Sequence, residues 1–365
     1  MNIFIRTSIA PYRIDLYNAL SREGHFRMCF YRRVAKDQAF DPEWLESLCE
    51  FTPDYLGGIE LGRPSRKLCT GIFRRIREEK PDVVIVPEFQ MVLFQVLFAR
   101  MFSRKKFKVI SMCDDSLDMI SSRRDFTFLH RWLRSWVPRL VDDIITVTPP
   151  VCEWYQEHFG KGIWLPIIRS DRQMRETLQR VLPQSEALVR EYDLTGKKVV
   201  GFVGRLVDIK NVDLVIRTFS EAGDKNCVLV IIGDGPERST LEKMAESLNR
   251  DVIFTGRLEG DALYAWYNII GVFTLLSSLE PFGAVVNEAL LGGARVLVSS
   301  RAGASCLVNG DNGTVVDIDD ADGLPGAMND LLRSTDPTPW VPVLRQDRMT
   351  VLFDEMIGSL IAGIK

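Results

Sequence analysis

The chain has 365 residues, of which 46% are hydrophobic and 26% are charged, and its formal net charge is −3. This is the composition of a soluble globular protein, and the length predicts two domains of ordinary size. The sequence pI of about 5.8 and the lack of a DNA- or RNA-binding motif argue against a nucleic-acid partner.

The cysteines and histidines show none of the spacings that bind metals. Seven cysteines are scattered along the chain, which fits free thiols in a reducing compartment. The three histidines lack the paired spacing of a zinc site. We therefore expect a cytoplasmic protein that holds no metal.

Short apolar runs alternate with helical patterns in the first half, which is typical of a parallel α/β sheet. The chain begins with a strand and not with a signal peptide. No apolar stretch reaches the roughly 18 residues of a membrane-spanning helix. The predicted strands are 2–6, 28–31, 82–86, 108–112 and 144–147.

Aromatic and basic residues concentrate in two stretches of the first half. Residues 90–108 contain an apolar run that ends in three bases, and residues 126–140 mix Trp132 and Trp136 with arginines. Basic clusters at 63–67 and 74–77 add to them. Helices of this kind bind anionic membrane surfaces. The same pattern arises when apolar faces pack on a sheet and the bases are solvated, so both interpretations stay open.

The domain boundary is predicted near Leu165, which gives a first domain over 1–165 and a second over 166–339. A charged helix over 173–192 leads into the second sheet, and a terminal helix is expected over about 340–365. The predicted strands of the second half are 198–203, 228–232, 252–254, 272–276, 296–298 and 314–316.

Two loops after strands of the second half have features of phosphate-binding sites. The first carries Gly204, Arg205 and Lys210 just before a helix, so that a bidentate guanidinium and a point charge are available. The second, 233–236, has two glycines that permit close backbone approach where open α/β sheets bind ligands. A solvated loop or a ligand-free turn is compatible with each pattern.

A third segment combines two carboxylates with the start of a helix. Glu280 lies on a loop, a Phe-Gly step follows, and Glu288 lies inside the helix-like run 284–291. A helix start offers unpaired N–H groups and a positive dipole end to a diphosphate. Carboxylates on either side can accept hydrogen bonds from sugar hydroxyls. Ordinary surface acids on an amphipathic helix are the alternative.

In order and spacing, these motifs resemble the family 4 (group 1) glycosyltransferases. The resemblance is close over about residues 198–317, where 255–257 and 309–313 also match, and looser over 11–20. It implies an α/β GT-B fold, with two Rossmann-like domains facing across a cleft and a C-terminal helix that crosses back to the first domain. The first domain would bind the acceptor and the second the nucleotide-sugar donor, and transfer would retain the anomeric configuration.

The resemblance also implies roles for individual residues. Arg205 and Lys210 would neutralise charge on the leaving diphosphate, and Glu280 would hold donor-sugar hydroxyls. Glu288 would accept from the ribose, and Arg257 with Leu258 would flank the base. The residues expected to bind the donor are Gly204, Arg257, Leu258, Phe282, Gly283, Ala284, Val285 and Glu288.

Three departures from the family pattern concern the acceptor side. The loop 7–11 lacks the glycines of many relatives, and the loop 301–306 lacks a glutamate. Acids follow the strand 108–112 where many relatives carry a histidine, and Asp115 is the residue expected to take its place. An acidic loop or helix cap is the alternative interpretation of these acids.

The resemblance implies transfer of a hexosyl or deoxyhexosyl unit from a UDP- or GDP-sugar, with no further cofactor. The expected acceptor is a glycan, in particular a lipid-linked saccharide of a surface polysaccharide, at the inner face of the cell membrane or in the cytoplasm. One alternative is a nucleotide-sugar epimerase of the same fold. Another is a catalytically silent subunit that binds a sugar nucleotide.

Overall fold

The computed structural model describes residues 1–33, 40–60, 67–121, 128–222, 225–248 and 250–364. The chain forms two compact units, Met1–Ile167 with Phe353–Lys365 and Ile168–Leu352. Each unit contains a parallel sheet flanked by helices. Among the described residues, no helix has both the length and the hydropathy needed to cross a membrane.

The elements follow one another as alternating strands and helices. The strands are β1 (Asn2–Arg6), β2 (Phe26–Phe30), β3 (Asp54–Tyr55), β4 (Gly58–Glu60), β5 (Lys67–Cys69), β6 (Val83–Pro87), β7 (Lys108–Cys113), β8 (Asp143–Thr146), β9 (Ile163–Trp164), β10 (Lys198–Val203), β11 (Cys227–Ile232), β12 (Val252–Gly256), β13 (Val272–Leu275), β14 (Arg295–Ser299) and β15 (Gly313–Val316). The helices are α1 (Ile14–Arg22), α2 (Pro42–Ser47), α3 (Ile72–Glu79), α4 (Met91–Phe102), α5 (Leu117–Ser121), α6 (Phe128–Leu140), α7 (Pro149–Phe159), α8 (Asp171–Arg180), α9 (Leu182–Glu191), α10 (Val212–Glu221), α11 (Arg238–Ser247), α12 (Gly260–Tyr267), α13 (Ala284–Leu291), α14 (Leu324–Arg333) and α15 (Phe353–Ile364).

The first unit is built on a seven-stranded sheet with the strand order β3-β2-β1-β6-β7-β8-β9, all parallel. The central strands are buried on both faces, as parallel strands covered by helices are. Every strand predicted for this half is present, with bounds shifted by at most two residues. β3, β9 and the β4–β5 hairpin escaped prediction, because two or three residues are too few for a periodicity.

The second unit is built on a six-stranded parallel sheet with the order β12-β11-β10-β13-β14-β15. The order reverses between β10 and β13, so the loops after these two strands lie at the point where open α/β sheets bind ligands. All six strands predicted for this half are present, and β10 has the predicted bounds.

The predicted charged helix over 173–192 is wrong in one respect, since two helices, α8 and α9, occupy this stretch. Pro183 lies in the first turn of α9. A proline lacks the N–H that would continue α8, but it fits the first turn of a new helix. The first helix therefore ends before Val181, and a second helix begins directly after this residue.

The predicted start of the terminal helix near residue 340 is also wrong, because α15 begins at Phe353. Residues 340–352 are irregular and belong to the second unit, whereas α15 packs beside α1 in the first. Arg345 anchors the irregular segment by donating hydrogen bonds to three carbonyls, those of Tyr267 (2.8 Å), Ile270 (2.6 Å) and Gly292 (3.0 Å). Helix ends expose such unpaired carbonyls, and here a side chain satisfies them.

Candidate active site

Three glycine-containing turns pack against each other at the carboxyl ends of β10, β11 and β12. The Gly204 amide donates to Ile232 O (3.0 Å), and the Gly233 amide donates to Gly256 O (2.9 Å). A Cβ on Gly233 would lie 1.8 Å from the Gly204 carbonyl oxygen, and one on Gly235 would lie 2.2 Å from that of Leu206. Backbone therefore packs on backbone here, which leaves no room for side chains.

Lys210 and Glu280 form an ion pair at the reversal of strand order. Lys210 closes a 3₁₀ turn after β10, and Glu280 lies on the loop after β13. The amide side chain of Asn211 donates to Leu276 O (3.0 Å), which ties the two loops together. The side chains of the pair are 15% and 14% exposed. Two predicted catalytic residues, 70 positions apart in sequence, are thus brought into contact.

Arg205 lies on the same loop as Lys210, but its side chain is exposed. Within the described ranges its guanidinium makes no ion pair. Gly204 precedes it in the packed turn described above. Of the two cations in the predicted phosphate-binding motif, Lys210 is thus held in an ion pair, whereas Arg205 is exposed to solvent.

The helix α13 spans the predicted residues 284–291, so it begins one residue after Gly283 and closely follows Glu280-Pro281-Phe282. Gly283 is the N-cap with φ +96°, and no side chain caps the helix. A Cβ there would meet a Leu275 methyl at 2.8 Å and Glu280 Cγ at 3.2 Å. Ala284 and Val285 supply first-turn amides, which are the groups that bind anions at helix starts.

The loop before α13 rests on a second loop after β14. The carbonyl of Glu280 accepts from the Gly303 amide (3.0 Å), and that of Phe282 accepts from the Ala304 amide (2.6 Å). Phe282 is buried. The backbone of the Glu280 loop is thus fixed on one side, while its carboxylate meets Lys210.

Glu288 lies on α13 and is buried, with a side chain that is 10% exposed. Tyr267 donates its hydroxyl to Glu288 Oε2 (2.9 Å), and Arg169 Nη1 lies 3.6 Å from Oε1. Burial, together with the Glu288 charge, raises the pKa of Tyr267 well above its usual value, so this phenol stays a donor. Tyr267 and Arg169 could not be predicted as site residues, because neither lies in a motif.

The remaining predicted donor-binding residues lie after β12. Arg257 is exposed, and its Nε donates to Glu259 Oε1 (2.6 Å), whereas Leu258 is half-buried. The motif at 309–313 forms a turn in which Asn309 Oδ1 accepts from the Asp311 amide (2.9 Å), while Asn312 Oδ1 accepts from the Asn309 amide (2.8 Å). These hydrogen bonds give the turn a structural role.

In the first unit, the acids after β7 are paired with arginines. Asp115 forms an ion pair with Arg134 of α6, whose side chain is 7% exposed. Asp114 is paired with Arg6 and also with Arg13, whose Nη2 lies 2.8 Å from Oδ1. Burial would raise the pKa of Asp114, but Arg13 and Arg6 more than offset it, and the net shift is downward.

Glu88 follows β6 and was not predicted as a site residue, since a single acid after a strand is no motif. It accepts a hydrogen bond from the Tyr155 hydroxyl (2.6 Å), and burial raises its pKa to about 7. Glu88, Cys113 and Asp115 have potential ligand atoms within 4.8 Å of one another. A metal is disfavoured here because the Arg134 guanidinium already holds the Asp115 carboxylate.

The family match to known proteins lies within the second unit. Residues 185–339 match the family model described as "Glycosyl transferases group 1". A GDP-mannose-dependent alpha-mannosyltransferase of Corynebacterium glutamicum is 36% identical over 152 residues, which are 41% of this chain and 35% of that protein. A GDP-mannose-dependent alpha-(1-6)-phosphatidylinositol monomannoside mannosyltransferase of Mycolicibacterium smegmatis is 33% identical over 163 residues, 41% of this chain and 43% of that protein. The chain thus matches less than half the length of these relatives.

Solved structures cover nearly the whole chain at low sequence identity. Anabaena Alr3699/HepE in complex with UDP and glucose gives a TM-score of 0.70 at 14% identity and covers 99% of both chains. The apo form of the lipopolysaccharide outer core galactosyltransferase WaaB gives 0.65 at 17% identity and covers 100% of this chain and 99% of that one.

The fold is that of the GT-B glycosyltransferases, so the predicted α/β GT-B architecture is confirmed. Within it, residues 185–339 are similar to the group 1 glycosyltransferases, in agreement with the resemblance seen in the motifs. Membership of family 4, retention and the roles of individual residues stay predictions.

Proposed function

We propose that the protein transfers a hexosyl or deoxyhexosyl unit from a GDP- or UDP-sugar to a glycan acceptor, with retention of configuration. The observation that carries the proposal is the Lys210–Glu280 pair beside the uncapped start of α13. GDP-mannose is the first donor to test, because the Corynebacterium and Mycolicibacterium relatives are named for it. UDP-glucose is the second, because HepE was solved with UDP and glucose.

In the proposed mechanism, the donor diphosphate binds the first amides of α13 and the ammonium of Lys210. Arg205, which is exposed and without an ion pair among the described residues, turns toward the phosphates and neutralises charge on the leaving group. Glu280 then accepts hydrogen bonds from donor-sugar hydroxyls. The leaving phosphate takes the acceptor proton, so the protein mainly positions and stabilises.

Glu288 is proposed to accept from the ribose. Because Tyr267 and Arg169 contact its carboxylate, the oxygens are held in one orientation before the donor arrives. Arg257 and Leu258 are proposed to flank the base. No metal and no further cofactor enter the proposal.

Thermal unfolding in the presence of GDP, GDP-mannose, UDP and UDP-glucose tests donor binding. A ligand that binds only the folded state raises the midpoint with RT ln(1 + [L]/Kd), so the four ligands can be ranked. We expect a rise with one nucleotide, reduced in Lys210→Met and unchanged in Lys243→Met, a lysine of α11 outside the site. No rise with any of the four would contradict donor binding.

The chemistry needs a separate readout from binding. Anomeric analysis of the transferred sugar tests retention, and an inverted product would refute it. Recovery of an epimerised nucleotide sugar would favour the epimerase. Nucleotide binding without transfer, with Glu280→Gln changing only ligand affinity, would favour the silent subunit.

For the acceptor, we propose a lipid-linked saccharide at an anionic membrane surface. The helix α4 buries one apolar face against the sheet of the first unit, yet it also exposes Phe98, Met101 and Phe102 by 53%, 70% and 72%. Packing on the sheet therefore does not account for all its apolar residues. Phe73 of α3 stacks edge-on to Phe98 (6.0 Å between centroids), which extends the exposed surface.

The exposed surface continues toward α6. Arg100 of α4 donates to Leu140 O (2.6 Å) at the end of α6. Trp132 and Trp136 of α6 are about half exposed, with ring centroids 6.2 Å apart. Aromatic rings beside bases are typical of membrane-surface contacts. Of the predicted basic cluster 63–67, residues 63–66 lie outside the described residues.

Flotation with phosphatidylglycerol-containing vesicles tests the membrane proposal. We expect flotation at low salt that weakens at high salt, because the attraction is partly electrostatic. The double substitution Phe98→Ser/Phe102→Ser should reduce it, whereas Trp340→Ser, which removes an exposed aromatic of the second unit, should not. Absence of the native protein from the floated fraction at low salt would refute the proposal.

A further inference from the structure

Three acids and three arginines gather where β1, β6 and β7 end in the first unit. Asp114 is held by Arg6 and Arg13, and Asp115 is held by Arg134. Within the described ranges Glu88 is the acid of this group that has no ion-pair partner. Glu88 is therefore the acid of this group whose ionised form is not stabilised by a direct ion pair.

Arg134 is paired with Asp115 and is also held by an aromatic ring. Its guanidinium carbon lies 5.2 Å above the centre of the Phe89 ring, a cation–π distance. Phe89 directly follows Glu88 and has a left-handed backbone with φ +53°. A bulky residue takes that conformation only where its surroundings enforce it. The ring fixes the guanidinium at Asp115, and Glu88 has a carboxylate oxygen within 4.8 Å of one of Asp115, so the two acids lie close enough to compete for it.

We propose that Glu88 is a positioning residue for the acceptor: when ionised, it competes with Asp115 for the Arg134 guanidinium and frees Asp115 to bind acceptor hydroxyls. This inference rests on the proposed function, in which the first unit binds the acceptor. When Glu88 is protonated, it no longer competes for Arg134, and Asp115 stays paired with the guanidinium. The proton that Glu88 releases goes to solvent, and no covalent step is involved.

In the described part of the chain, the groups that face Glu88 come from three elements. Tyr155 of α7 donates to its carboxylate, Cys113 at the end of β7 is a thiol beside it, and Arg134 of α6 attracts it while Asp115 repels it. Burial is the largest influence, and the pKa of Glu88 rises to about 7. The carboxyl therefore changes charge near neutral pH, whereas the pKa of Asp114 is shifted downward.

An NMR titration of the native protein tests the inference without any substrate. We expect a glutamate carboxyl resonance with a midpoint near pH 7 and a side-chain resonance of Arg134 that moves with the same midpoint. Both titrations should vanish in Glu88→Gln and persist in Glu78→Gln, the control on α3 whose side chain is about half exposed. In Tyr155→Phe the midpoint should rise, because the lost hydrogen bond favoured the charged form.

Kinetics test the link to the acceptor, with octyl α-D-mannoside as the acceptor probe and GDP-mannose as donor. The ionised fraction of a group with pKa near 7 rises about tenfold from pH 6 to pH 8, so we expect the acceptor KM to fall about tenfold and the donor KM to stay level. In Glu88→Gln the acceptor KM should stay high at both pH values.

An Arg134 resonance that does not respond to pH in the native protein would overturn the inference, and so would an acceptor KM in Glu88→Gln that still falls with pH. If instead the proposed function is wrong, neither transfer nor nucleotide binding would be detected, while the NMR titration of Glu88 would still be seen. The two failures are therefore distinguishable.

Discussion

Breaking the Lys210–Glu280 pair from either side should destabilise the second unit, and removing both charges together should restore most of the loss. Single loss of a fully buried partner costs about 3–5 kcal/mol, whereas exposed pairs contribute about 0.2–1 kcal/mol. These side chains are 15% and 14% exposed. We therefore expect about 2 kcal/mol for Lys210→Met and about 2 kcal/mol for Glu280→Gln, with about 1 kcal/mol for the double variant. The coupling free energy is then about 3 kcal/mol.

Ligand binding should follow a different pattern in the same variants. Lys210 makes a charge-assisted contact to the donor diphosphate in the proposed mechanism, and such bonds contribute about 1.5–3 kcal/mol. Loss of this contact weakens GDP affinity about tenfold or more. Because the ammonium is absent from the double variant too, its recovered stability should bring no recovery of GDP binding.

The assay is urea unfolding of the four proteins, each with and without GDP. Additive single effects, with no coupling, would show that solvent screens the pair and would refute the structural argument. Full recovery of GDP stabilisation in the double variant would refute the role of Lys210 in binding the diphosphate. Each outcome tests one part of the reasoning.

Three further predictions concern stability. Gly233→Ala should destabilise by more than about 3 kcal/mol in urea unfolding, since its Cβ would collide with backbone, whereas Gly310→Ala meets nothing within 4 Å and should lie within about 0.5 kcal/mol of native. Tyr267→Phe should cost about 1.5–3 kcal/mol, because the buried Glu288 carboxylate loses a hydrogen bond; a neutral effect in thermal unfolding would contradict this. The folded-state pKa of Glu88 is raised from 4.5 to about 7, so its contribution is fully present below pH 4.5 and is lost as the pH rises to about 7. Relative to Glu88→Gln, the native protein should lose at most ~3 kcal/mol over that range, and equal pH dependence of the two would contradict the shift.

The strands of the two sheets could be predicted from sequence because buried strands appear as short runs of apolar residues. β1 and β10 have the predicted bounds, since each is a short apolar run covered on both faces. β3 and β9 could not be predicted, because two residues become a strand only through pairing with a neighbouring strand that lies many residues earlier in the chain. The irregular path of 340–352 likewise depends on carbonyls at distant helix ends.

The candidate donor site was predictable in part. Motif spacing located Lys210 and Glu280, but their contact depends on β10 and β13 being neighbours in the sheet, which no spacing along the chain gives. Asp115 was singled out by its place after β7. Its partner Arg134 was not, because that contact depends on how α6 packs.

The two polar sites differ in what fixes them, and the difference bears on specificity. In the second unit, glycines such as Gly233 and the start of α13 place backbone groups where we propose that phosphate binds, so the geometry depends little on side-chain identity. In the first unit, side-chain charges around Arg134 create the site, and a single substitution alters its charge without touching the sheet. The match to the group 1 family model covers 185–339 and not the first unit. If the proposed roles hold, a shared donor site combined with a first-unit site that changes by side-chain substitution is the arrangement expected when related enzymes share a donor class and differ in acceptor.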